Sequence, residues 1–117
     1  MAARHDRRGL YMQGWYDLDI TKLHAAIAPG FVFDDPAEPA PVAGDDLAGY
    51  MQRWLERAGK KNDWLLKNEV RLDENGILTD WHWWQVIGTN LTGSALVQTS
   101  DDGVLFERLA YFDRRTA

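Results

Sequence analysis

"LDITKLHAAIAPGFVFDDP", residues 18–36, changes its period halfway along, and that change decides how the chain is read. Asp19 suits the cap of a helix in which Ile20, Leu23, Ala26 and Ile27 recur at helical spacing, and Pro29-Gly30 stops it. Phe31 to Asp35 then reads as a short strand closed by Asp34-Asp35-Pro36. Alternation points the two carboxylates opposite ways. Asp34 is the turn or surface residue. Asp35 is either an Asx-type turn residue before proline or an acid turned toward the interior.

Upstream, residues 6 to 16 carry Leu10, Tyr11, Gly14 and Trp15 on roughly one helical face. Downstream, residues 36 to 44 hold three prolines and a glycine and read as a loop. Asp45 caps a third helix, whose Leu47, Tyr50, Met51, Trp54 and Leu55 form one apolar stripe. Strands are expected over Asp63–Leu72, Ile77–Gly88, Ser94–Ser100 and Val104–Asp113, with short turns between them. Consecutive strands joined by short turns pair antiparallel. Helices first and a meander afterwards predict an α+β domain spanning residues 1–117.

The strand "LTDWHWWQVIG" is apolar on both sides. Leu78, Asp80, His82, Trp84 and Val86 share one face; Trp81, Trp83, Gln85 and Ile87 share the other. One face packs on the helices. The other predicts a homodimer through the sheet, with Trp81 and Trp83 at the contact.

Composition narrows the function. A net charge of −5 disfavours nucleic acid, and the cationic runs Arg7-Arg8, Lys60-Lys61 and Arg114-Arg115 are short. No cysteine is present, which removes disulfides, thiol catalysis and Cys-ligated zinc. Three scattered histidines match no metal-ligand spacing, and neither a phosphate loop nor a nucleophile motif occurs, so no cofactor or metal is expected. No apolar run is long enough to span a membrane and the start "MAARHDRRG" is polar, so a cytoplasmic location is expected. Six tryptophans, four tyrosines and four phenylalanines in 117 residues point to a lined pocket or an interface.

Together, "LDITKLHAAIAPGFVFDDP", Gly44 followed by Leu47 and Tyr50, and "DDGVLFERLAYFD" resemble the NTF2-like superfamily. Within it the chain is most similar to SnoaL-like polyketide cyclases and bacterial ketosteroid isomerases. The resemblance implies a cone: three N-terminal helices packed on a strongly curved, mainly antiparallel sheet around an apolar pocket. It places the isomerases' helix-1 tyrosine on Tyr11 and their strand-end aspartate on Asp35. It therefore implies Asp35 as general base and Tyr11 as oxyanion donor, acting on an apolar polycyclic carbonyl substrate. A desolvated carboxylate is the stronger base, and a nearby phenol stabilises charge on a carbonyl oxygen. The isomerases' second acid falls on Ala95, and their supporting tyrosine near Gln52, close to Tyr50.

His82 faces the implied pocket and is a third candidate, as an auxiliary donor or, with Asp17 or Asp19, as a dehydratase-like His–Asp pair. Trp15, Tyr50, Trp54 and Trp84 are expected to line the ligand site. The competing reading is a non-catalytic binding protein for an apolar ligand, in which Asp35, Tyr11 and His82 are structural and the tryptophans fill the cone. His24 and His5 read as surface residues.

Overall fold

A computed structural model describes residues 3–59 and 63–112. The pairs Lys60-Lys61 and Arg114-Arg115 and the expected last strand residue, Asp113, lie outside these. The first helix, α1 (Ala3–Asp17), runs into α2 (Ile20–Ala26), whose N-terminus is capped by Asp19 accepting from Thr21 N and Lys22 N at 3.0 and 3.3 Å. Strand β1 follows without a break at Ile27–Asp34. The helix thus ends three residues sooner than Pro29-Gly30 suggests. Ile27 belongs to the strand, and the irregularity between Ile27 and Val32, with Gly30 at φ 81°, absorbs the proline and glycine. The proline-rich segment contains a two-residue strand, β2 (Val42–Ala43), which composition concealed. A 3-10 turn, Gly44–Asp46, leads into α3 (Leu47–Arg57); Asp45 lies inside that turn, and no side-chain cap bond closes the helix.

The second half is the expected meander: β3 (Trp64–Glu74), β4 (Ile77–Val86), β5 (Thr92–Ser100) and β6 (Gly103–Tyr111). One six-stranded sheet runs in the order β2-β1-β6-β5-β4-β3, antiparallel except for the β1–β6 pair. The parallel pair arises because β1 is separated from the meander by α3, and the chain returns to it only with its last strand.

All five predicted inward residues of β4 are buried, and Trp83 and Ile87 on the opposite face are exposed. Register lines up Phe33, Glu107, Val97 and Asp80 across β1, β6, β5 and β4. The next inner row joins Leu109, Ala95 and His82. Over these rows lies α1, with Arg8, Tyr11 and Trp15 forming its buried stripe. Gly14 brings α2 close: a Cβ there would lie 2.8 Å from Leu23 Cδ2.

Candidate functional site

Helix α1 delivers two polar groups into the sheet. Arg8 donates from Nε and Nη2 to the two oxygens of Asp80 at 2.6 and 2.7 Å, a fork-on-fork pair with both partners buried. Burial works against the Asp80 carboxylate, but the Arg8 hydrogen bonds outweigh it and hold the group below the ordinary aspartate range. One helical turn on, the Tyr11 hydroxyl donates to Glu107 Oε1 at 2.6 Å. Burial pushes the Glu107 carboxyl above its ordinary value, with the Tyr11 hydrogen bond, His82 and Arg8 pulling the other way. The Tyr11 phenol is likewise raised, first by burial and then by the facing Glu107.

Glu107 opens into a cavity between α1, α3 and the sheet. The free volume is about 30 Å³, and the wall is largely aromatic: Trp15, Phe33, Tyr50, Trp54, Trp64 and Trp84. Trp54 stacks on Trp64 at 5.5 Å and meets Trp84 edge-on at 5.5 Å. Apart from tyrosine hydroxyls and indole N–H groups, the polar side chains on the wall are His82 and Glu107. Ala95, between His82 and Leu109 in the sheet register, keeps that row low.

The residues singled out from sequence divide into two groups. Trp15, Tyr50, Trp54, Trp84 and His82 share the cavity wall. Tyr11 and Asp35 do not flank it together. The Tyr11 hydroxyl sits behind Glu107, and Asp35 is enclosed at the far end of β1. There Asp35 accepts hydrogen bonds from the Tyr50 hydroxyl at 2.5 Å, the Tyr111 hydroxyl at 2.8 and 2.9 Å, Arg57 Nη2 at 2.7 Å and Ala37 N at 2.8 Å. The acid is 2% exposed and its lone pairs are engaged by four donors. It fastens α3 and β6 to the end of β1, and so holds Tyr50, one wall of the cavity, in place. The expected shared hollow of residues 11 and 35 is therefore replaced by two separate clusters. Alternation correctly turned Asp35 inward, but not which groups would meet it there.

The expected hydrogen-bonded pair of His82 with Asp17 or Asp19 does not form. Asp17 is engaged by Lys22 and Gln13, and Asp19 caps α2. The carboxylate beside His82 is Asp80, at 3.7 Å from Nδ1. Asp34 pairs with Arg108 on the outer side of β1, and His24 is exposed.

Glu107, Arg8 and Asp80 were missed as a set. Asp80 stood on the inner face of β4 by alternation, and Glu107 shares its face with Leu105 and Leu109 in "GVLFERLAY", which was the available signal. Arg8 carried none, because an arginine on a helix reads as solvated. Among the described residues, Glu69, Asp80 and His82 bring three ligand-type atoms within 4.8 Å of one another. Both oxygens of Asp80 are already held by the Arg8 cation, so this trio is a poor seat for a metal ion. Among the described residues no helix is long and apolar enough to cross a membrane.

No family model matches the sequence, and no curated protein matches it significantly. Solved structures do match the fold. A cystatin-like fold protein from Burkholderia xenovorans superposes with a TM-score of 0.69 at 14% identity, covering 92% of this chain and 88% of that one. A candidate SnoaL-like polyketide cyclase from Shewanella putrefaciens gives 0.67 at 13% identity, over 99% and 83%. An NTF2-like protein of unknown function from Cytophaga hutchinsonii gives 0.61 at 10% identity, over 99% and 96%. At such identities the likeness shows a shared fold.

Proposed function

We propose that this chain, which has the NTF2-like fold, is a cofactor-independent enzyme of the isomerase, cyclase or lyase kind that moves a proton on a compact carbonyl compound. Glu107 takes the proton from carbon and returns it, Tyr11 positions that carboxyl, and His82 stands alongside as a second acid or base. One observation carries the reading: a buried carboxyl, held by a phenol at 2.6 Å, opens into an aromatic cavity beside an imidazole. A carboxyl raised by desolvation is matched to a weak carbon acid, because its conjugate base is stronger than a solvated one. This assignment moves the base from Asp35 to Glu107 and makes Tyr11 a positioning residue. It also limits the substrate's size: the cavity's free volume, about 30 Å³, lies far below that of an ordinary ligand pocket, so only a compact molecule that parts the aromatic wall enters it.

Exchange in deuterium oxide tests this without knowledge of the natural substrate. A panel of cyclic ketones and enones is incubated with the protein, and deuterium uptake beside the carbonyl is followed by NMR. Glu107→Gln is expected to lower the rate by about a hundredfold or more, and by far more than Asp35→Asn, which acts only through the Tyr50 wall. Exchange no faster than the protein-free blank, or a Glu107→Gln protein as fast as the wild type, overturns the proposal.

The small cavity favours a second reading, a binding protein in which ketones bind but do not exchange. In either case two copies meet through the outer sheet face around Trp81 and Trp83, and the protein works in the cytoplasm. Trp83 is 41% exposed and packs on Trp81 and Phe112, with Leu65, Val70, Leu72 and Ile87 also exposed.

A further inference from the structure

Tryptophan N–H is a donor that water would satisfy, and removing it from water without a partner is unfavourable. Among the described residues, Trp54 and Trp84 both have a buried Nε1 with no hydrogen-bond partner. The two side chains are 2% and 1% exposed. They stand on different elements, α3 and β4, yet both line the same cavity, with ring centres 5.5 Å apart and planes at 79°. Both nitrogens are covered by neighbouring atoms, so an acceptor that satisfies them is one that enters between the rings of this wall.

The surroundings narrow the choice of acceptor. Among the described residues no lysine or arginine lines the cavity; Arg8 is taken up by Asp80, and Arg57 by Asp35 and Glu38. A fully anionic ligand would meet Glu107 without a cation to offset it, which is costly in a low-dielectric site. A neutral molecule with one acceptor oxygen suits two neutral donors and an apolar wall. We propose that the indole N–H groups of Trp54 and Trp84 bind the acceptor oxygen of a compact neutral ligand, a ketone or enone. They would then occupy the place of oxyanion donors while Glu107 faces the neighbouring carbon. This deepens the proposed function and rests on its reading of the cavity as a ligand site. It supplies an electrophilic side to a cavity in which Tyr11 is committed to Glu107. Donors fixed in a dry site hold developing charge more strongly than the starting carbonyl.

The test compares cyclohexanone with methylenecyclohexane, which has the same shape but replaces the oxygen by CH₂. Protein labelled with ¹⁵N at the indoles is titrated with each, and the indole N–H resonances are assigned from Trp54→Phe and Trp84→Phe variants. Cyclohexanone is expected to move the Trp54 and Trp84 resonances downfield, and methylenecyclohexane to leave both nearly unmoved. The ketone should bind about five- to tenfold tighter than the alkene, and either variant should remove most of that ratio. The wild-type spectrum alone keeps the test decisive if a variant fails to fold. Equal affinity for the two probes, or shifts confined to other tryptophans, overturns the donor assignment and leaves the cavity as a ligand site. If neither probe binds, both readings are overturned.

Discussion

Glu107 has a thermodynamic signature that its neighbours do not share. Its carboxyl is raised from the ordinary 4.5 chiefly by burial, so the folded chain holds this proton more tightly than the unfolded one. The contribution to stability is therefore full below the unfolded value and is lost as pH rises through the higher folded value. Glu107→Gln removes the titration while keeping the shape. Urea denaturation of both proteins across pH should show the variant gaining on the wild type as pH climbs above 4.5, and a pH-independent difference would contradict the assignment. At Asp35 three side chains and a backbone N–H converge on one carboxylate. Asp35→Ala leaves those donors facing an apolar methyl and is expected to cost about 3 kcal/mol, read as a lower denaturation midpoint. Glu107 lies within β6 and Asp35 directly follows β1, and local pattern does not tell their surroundings apart. What separates them is which helix arrives above: α1 brings one phenol to Glu107, whereas α3 and β6 close completely over Asp35.

At the scale of elements, α1 decides the site. Its residues 8, 11 and 15 lie on one stripe, so docking the helix sets Arg8 on Asp80, Tyr11 on Glu107 and Trp15 against Phe33 and Tyr50 together. Helix α2 packs closely against α1 at Gly14, where an added Cβ would also lie 3.1 Å from Leu23 N. Gly14→Ala is expected to destabilise the fold by about 1–3 kcal/mol through overpacking, despite alanine's better helix propensity. A raised thermal midpoint in that variant would show that the contact relaxes freely. The helices and the meander were legible because their periods, 3.6 and 2, recur over whole segments. The end of α2 was not, since Ile27 and Ala28, ahead of Pro29-Gly30, are helix-compatible, and the pairing of Ile27 with Val104 of β6 claims them instead. The two-residue β2 was hidden for the same reason: only its partners Val32 and Phe33 make it a strand.

For the whole molecule, the sheet has one face covered by helices and one that carries Trp83, Val70 and Leu72 at 41%, 62% and 55% exposure. A second copy on that face is the proposed cover, and Trp83→Arg places a charge at its centre. Sedimentation should then find the wild type at twice the chain mass and the variant as a monomer. A wild-type monomer at micromolar concentration would exclude this use of the face. The sequence by itself determined the α+β order, the inner and outer faces of the meander and the aromatic character of the interior, because each follows from local periodicity and composition. Only the tertiary structure decided that Glu107 rather than Asp35 opens into the cavity, that Arg8 is buried and that Tyr11 serves a carboxyl. Those facts depend on which side chains meet across more than seventy residues of chain, as in Arg8–Asp80 and Tyr11–Glu107, and such meetings are set by helix docking on sheet register, which no local pattern encodes.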